Sequence, residues 1–139
     1  YESGETGFEK TMNIGKNYIT YSKDFPNYYA FISLFEGGYT NTDPIRSMEN
    51  AHRCHDIMHR AIKTGIDDGT IRKDLHPGVL GNLLWSMSTG MIQLIKTRGD
   101  VLEKFNEIDE NMIYQHFFNL ISTALSTEKS SKELMPKLV

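Results

Sequence analysis

Three of the four prolines stand at the start of apolar runs, and they constrain the fold of this 139-residue chain more than any other feature. Proline fits the first turn of a helix, where its missing N–H would have no partner, and it disrupts a helix interior. Pro26, Pro44 and Pro77 therefore mark the beginnings of three helices, with Asp43 as the N-cap before Pro44. A chain with helix starts at these three positions is expected to consist of helices.

The apolar residues between these markers recur at the three-to-four-residue spacing of amphipathic helices. No segment shows convincing strand alternation. The sequence therefore predicts an all-α fold of five to six helices. The predicted helices cover residues 7–23, 26–36, 44 to beyond 66, 77 to an interruption at Gly99, and 109–127, with 100–110 acidic and partly helical.

Composition agrees with one packed domain. Leu, Ile, Val and Phe make up about a quarter of the chain, above the roughly one-fifth below which chains tend to be disordered. The net charge of −3 provides no basic face, so we do not expect these residues to bind DNA directly. Cys54 is the single cysteine, which excludes an intrachain disulfide and favours a cytoplasmic location.

Neither a secretory signal nor a membrane span is predicted. Residues 1–7 are polar and lack the apolar core of a signal peptide. Residues 77–95 carry no charge, but Asn82, Gln93 and several serines and glycines make them too polar for a lipid-facing helix of about 20 residues. We interpret this run as a helix covered by protein.

One predicted helix carries three histidines on neighbouring parts of one face. His52, His55 and His59 follow i, i+3, i+7 spacing. His55 and His59 could bind one metal ion, with His52 or Glu49 as a third ligand. In the alternative interpretation these histidines are polar residues beside the core, since the sequence lacks an HExxH pattern.

The motifs of common enzymes are missing from the sequence. It contains no Gly-x-Ser-x-Gly elbow, no Cys–His–Asn pattern and no phosphate-binding loop with a lysine. We therefore expect no enzymatic activity and no cofactor.

Aromatic and methionine side chains exceed what a minimal helical core requires. Together they can line a pocket for a mainly apolar ligand, or they can serve as ordinary core.

The last two long predicted helices could form a dimer interface. Ser86, Ser88, Thr89 and Gly90 permit close helix approach, so two helices from each of two chains could form a four-helix bundle. The same faces could instead be covered within one chain.

Several motifs resemble one protein family. Residues 65–75, with the sequence GIDDGTIRKDL, resemble the turn between two late helices of TetR-family transcriptional regulators. Residues 83–85, Leu-Leu-Trp, followed by Gly90 are similar to the pattern of the family's next helix. Phe25-Pro26, opening an aromatic helix, is similar to the segment after the first regulatory-domain helix. The resemblance covers residues 8–125.

The resemblance implies a ligand-sensing, homodimerising domain over residues 1–127, with a polar tail over 128–139. The family's helix-turn-helix DNA-binding domain would lie upstream of Tyr1. In this family a small molecule, here expected to be mainly apolar, binds between the helices and changes DNA binding, so a repressor is expected. Many members carry a histidine just before the glycine, where this chain has Thr89.

The resemblance and the residue pattern together select two sets of candidate residues. The pocket candidates are Tyr18, Phe31, Phe35, His55, Met58, His59, Trp85 and Thr89. The dimer-interface candidates are Met87, Met91, Phe117, Leu120, Ile121 and Ala124. The alternative function, from a different class, is a metal-binding helical bundle that uses His52, His55 and His59.

Overall fold

The computed structural model describes residues 4–36 and 44–127 of the chain. Within these ranges the chain is helical, and an isolated antiparallel bridge pairs Ile71 with Ser126. The prediction of an all-α fold is confirmed. The helices are α1 (Gly7–Asp24), α2 (Pro26–Glu36), α3 (Pro44–Asp67), α4 (Pro77–Asn106) and α5 (Glu110–Leu125).

The helix starts follow local sequence chemistry. Pro26, Pro44 and Pro77 are the first residues of α2, α3 and α4, as predicted. His76 caps α4, where its Nδ1 accepts the Val79 N–H at 3.3 Å. The predicted N-cap Asp43 and the predicted helix stop at residues 37–38 lie outside the described residues.

Helix α4 passes through Gly99 without a break, so the predicted interruption there is wrong. One glycine inside a helix costs only about 1 kcal/mol, which packing of the flanking turns offsets. The helix ends instead at Glu107, which adopts a left-handed conformation with φ of 57°. Residues 100–106 therefore belong to α4 rather than to a separate acidic segment.

Among the described residues, the buried side chains form two core clusters. Helix α4 contributes side chains to both of them. The first core cluster contains Phe8, Ile62, Ile71, Leu80, Leu84 and Leu125. The second core cluster contains Ile19, Tyr29, Met91 and Ile92, with Tyr18, Phe117 and other partly buried side chains against it.

The helices in the described ranges are all too short or too polar to cross a membrane. The uncharged run over 77–95 is the first two-thirds of α4. It supplies Leu84 to the first core cluster and Ile92 to the second. Burial against other helices therefore accounts for the inner side of this run, whereas Leu83, Met87 and Leu94 on its outer side are exposed.

Candidate functional site

Polar and aromatic side chains from α1, α3 and α4 meet beside the second core cluster. The Trp85 Nε1–H donates to the Tyr18 hydroxyl at 3.3 Å, and that hydroxyl lies 3.2 Å from the Thr89 hydroxyl. The His55 ring packs edge-on against Trp85, with the ring centroids 5.1 Å apart. Four predicted pocket residues from three different helices are thus in contact.

Helical geometry explains how these residues come together. Trp85 and Thr89 are four residues apart on α4, so both project from the same face. Tyr18 lies one residue before the buried Ile19, which holds this part of α1 against α4. His55, Trp85 and Thr89 are only half-buried, so the group is open on one side.

Tyr29, from α2, completes this group. Its ring lies 5.8 Å from the Tyr18 ring, and the residue is only 3% exposed. The Tyr29 hydroxyl is buried without a hydrogen-bond partner among the described residues. Burial, together with the neighbouring Tyr18, raises the pKa of Tyr29 to about 12, so its hydroxyl stays protonated under ordinary conditions. We call Tyr18, Tyr29, His55, Trp85 and Thr89 the Tyr18 cluster.

Sequence reasoning did not select Tyr29 as a pocket residue. It stands beside Tyr28, and the apolar Ala30, Phe31 and Ile32 follow directly in α2. The structure separates the two tyrosines, since Tyr28 is 68% exposed. The apolar run gives no clear helical period that would indicate which tyrosine faces inward.

The remaining predicted pocket residues lie elsewhere. Phe31 is exposed, and His59 is exposed on α3. Met58 packs against the first core cluster, where its side chain is close to Gly81. Phe35 belongs to α2, but its side chain is outside what the structure describes.

The predicted metal site finds no support in this part of the chain. His52 and His59 are exposed, whereas His55 packs against Trp85. Among the described residues, no group of three or more His, Cys, Asp or Glu side chains is placed to hold a metal ion. The side chain of Glu49, the other possible ligand, lies outside the described residues.

The predicted dimer-interface residues divide into exposed and core positions. Met87, Leu120 and Ala124 are exposed, with Leu120 at 70%. Phe117 and Ile121 are half-buried and pack against the two core clusters. Met91 is buried in the second core cluster and therefore serves the interior of this chain.

A row of exposed apolar residues follows the outer side of α4. Leu83, Met87, Leu94 and Val101 are each between 43% and 53% exposed. A Cβ atom added to Gly90, which lies in the same row, would meet no atom of the described residues within 4 Å. Positions 83, 87, 90, 94 and 101 fit the alternating four- and three-residue steps of a helix that packs along a second helix. We call these residues the α4 row.

An open surface groove of about 340 Å³ lies beside the turn between α3 and α4. None of the predicted pocket residues whose side chains the structure describes lines it. The lining residues are Ile66, Gly69, Ile71, Arg72, Lys73, Asp74 and Thr127.

Comparisons of the chain with models of protein families, with curated proteins and with solved structures found no match.

Proposed function

We propose that this chain is the effector-binding and homodimerising domain of a TetR-like transcriptional regulator, by expectation a repressor. The observation that carries the proposal is the division of α4 into two different faces. One face carries Trp85 and Thr89 into the half-buried Tyr18 cluster. The other carries the exposed α4 row. One helix thus joins a candidate ligand site to a candidate subunit interface.

The α4 row supports dimerisation through its spacing and its chemistry. A row of exposed apolar side chains, here interrupted by the exposed Thr97 between Leu94 and Val101, is typical of an interaction surface. Helix α5 adds Met112, which is 41% exposed, and the more exposed Leu120. Two helices from each of two identical chains can bury such faces as a four-helix bundle with twofold symmetry.

Helix α1 provides a physical route from the ligand site to an upstream DNA-binding head. Tyr18 lies in its second half, roughly 16 Å along the axis from Gly7. The Gly7 N–H donates to Asp68 at 2.8 Å, and the Phe8 N–H donates to Thr70 at 3.2 Å. A ligand that binds more tightly when α1 occupies a different position would shift the start of this helix. The free energy of DNA binding would then become less favourable by the difference in ligand-binding free energy between the two positions.

Native mass spectrometry of the purified full chain tests the dimer. We expect a mass of twice 15.9 kDa. Leu83→Asp should produce monomers, because a charge would be buried in the proposed interface. Asn82→Asp is the matched control, since Asn82 is exposed beside the row and should leave the dimer intact. A wild-type monomer, or a stable Leu83→Asp dimer, would contradict the proposed interface.

Trp85→Ala tests the ligand site separately. This variant should weaken the binding of a co-purified or added small molecule and retain the dimer, because Trp85 lies in the Tyr18 cluster and not in the α4 row. Normal ligand binding by the variant would mean that Trp85 is structural and that the pocket lies elsewhere. Loss of the dimer in Trp85→Ala would mean that the two faces are not independent.

A further inference from the structure

The first half of α4 lacks charge on its exposed side as well as on its buried side. Residues 77–95 contain no Asp, Glu, Lys or Arg. Asn82, Ser86 and Gln93 are exposed within this run, as is the first part of the α4 row. Packing inside the chain does not explain the missing charges, since exposed positions are where charged side chains usually stand. Depletion of charge is typical of the central part of a protein–protein interface.

Gly90 is the second unusual feature of this side of α4. A glycine inside a helix is less favourable than an alanine. A Cβ atom here would meet no atom of the described residues within 4 Å, so that part of the chain gives no reason for a glycine. A second helix against this position gives one, because the missing side chain lets two helix axes approach to the lower end of their usual separation of about 8–10 Å.

Exposed apolar residues are arranged almost symmetrically on the two sides of Gly90. Val79 precedes it by eleven residues and Val101 follows it by eleven, and both are exposed. Met87 precedes it by three residues and Leu94 follows it by four. Two α4 helices that run antiparallel and cross at Gly90 would therefore bring apolar side chains opposite one another on both sides of the crossing. A twofold interface requires this kind of self-complementary surface.

The charges of α4 favour the antiparallel direction over the parallel one. All of its Asp, Glu, Lys and Arg residues lie within 96–104. In the antiparallel arrangement this segment lies opposite residues 76–84 of the other copy, which contain none of these four residue types. Lys104 follows Val101 at the next position of the row's spacing, so a parallel pair would place it beside its own copy. Like charges in contact weaken association.

The one polar position of the row's spacing, Thr97, is compatible with this arrangement. It follows Gly90 by seven residues and would lie opposite Leu83, which precedes Gly90 by seven. The Thr97 hydroxyl donates to the Gln93 carbonyl of its own helix at 2.8 Å. An antiparallel contact would therefore bury no unpaired hydroxyl here.

We propose that two copies of this chain associate through antiparallel α4 helices that cross at Gly90, next to the twofold axis, at a shallow angle of about 20°. This inference rests on the proposed dimerisation and specifies which part of α4 meets which. The contact extends from Val79 to Val101, roughly 33 Å along the helix. The uncharged half of each α4 covers the charged half of the other.

Disulfide cross-linking of the full chain tests this arrangement in a Cys54→Ser background, since Cys54 is the only cysteine and is exposed. Met87→Cys combined with Leu94→Cys should give a covalent dimer under mild oxidation, because cysteines link when their Cα atoms are about 4.4–6.8 Å apart. Val79→Cys alone should not link, because its two copies would lie roughly 33 Å apart along the helices. Asn82→Cys, at an exposed position beside the row, is the matched control and should not link either.

Pulsed electron paramagnetic resonance gives an independent measurement. Spin labels at position 79 should be separated by roughly 33 Å in the antiparallel dimer, against about 10 Å in a parallel one. The shorter separation, or a Val79→Cys dimer, would overturn the antiparallel arrangement and leave the proposed dimer standing. A variant with cysteines at 87 and 94 that remains a dimer by native mass but does not link, or links no better than Asn82→Cys, would overturn the crossing at Gly90. A monomeric wild-type chain would overturn both the arrangement and the dimer.

Discussion

Gly7 in the first turn of α1 lies so close to Gly65 in the last turn of α3 that a Cβ atom on Gly7 would overlap the Gly65 backbone. A Cβ atom on Gly65 would lie 3.2 Å from the Gly7 backbone and 2.5 Å from the Ile71 side chain. Two facing glycines let the helix backbones touch here. This contact brings the Gly7 N–H to the Asp68 carboxylate.

Gly7→Ala should lower the free energy of unfolding by roughly 1–3 kcal/mol, because the obstructing atoms belong to a backbone that must move. Gly99→Ala is the control inside α4, where the new Cβ atom would meet only Ile95, at 3.9 Å. This second change should raise the free energy of unfolding by about 0.5–1 kcal/mol through helix propensity. Urea unfolding followed by circular dichroism measures both, and equal effects would refute the close approach.

Thr70→Val should lower the free energy of unfolding by roughly 1–3 kcal/mol, because it leaves a buried N–H without an acceptor. Thr70 is fully buried, and its hydroxyl accepts the Phe8 N–H at 3.2 Å and donates to Asp68 at 2.6 Å. Thr97→Val is the exposed control, since within the described part of the chain the Thr97 hydroxyl donates to backbone carbonyls of its own helix. This change should alter stability by less than about 0.5 kcal/mol. If thermal unfolding finds the same stability for Thr70→Val and Thr97→Val, the Thr70 hydroxyl does not stabilise the start of α1.

Tyr29→Phe should leave stability near neutral pH unchanged or raise it by about 1 kcal/mol, because it removes a buried hydroxyl without a partner. The same variant should flatten the decline of stability at high pH. Tyr29 loses its proton near pH 10 in the unfolded chain but only near pH 12 in the folded one, so deprotonation favours unfolding across that window. Tyr29 therefore causes no loss of stability below pH 10, and the loss that it causes develops as the pH rises from 10 towards 12.

Unfolding curves measured at several alkaline pH values check this prediction. Tyr28→Phe serves as the control, because the exposed Tyr28 ring should not affect the decline. A Tyr29→Phe curve that falls as steeply as the wild-type curve would show that other groups cause the alkaline loss of stability.

Leu120→Asp should convert the proposed dimer to monomers or to insoluble protein, because Leu120 is a predicted interface residue on α5 that is 70% exposed. Asn119→Asp introduces the same side chain at the neighbouring exposed position and should leave the association unchanged. Analytical ultracentrifugation across a concentration series distinguishes these outcomes. A soluble, stable Leu120→Asp dimer would exclude α5 from the interface.

Much of the fold was predictable because its determinants are local. Pro26, Pro44 and Pro77 mark helix starts through a rule that concerns only the first turn. Gly99 shows where such rules fail. A single residue of low helix propensity in a 30-residue helix does not outweigh the packing of its neighbours. The candidate site was predicted in part, because Trp85 and Thr89 share a helix face, whereas Phe31 and His59 are exposed.

The sequence by itself determined the helical class, the helix starts and the segregation of apolar residues, because these depend on backbone chemistry and on spacing within one helix. Only the tertiary structure decided which tyrosine of α2 is buried and which α4 residues remain exposed. Tyr29 and Tyr28 are chemically identical, so their difference comes from the position of α2 against α1 and α4. Likewise, Met91 and Met87 lie one helical turn apart. Met91 is buried in the second core cluster, whereas Met87 is exposed.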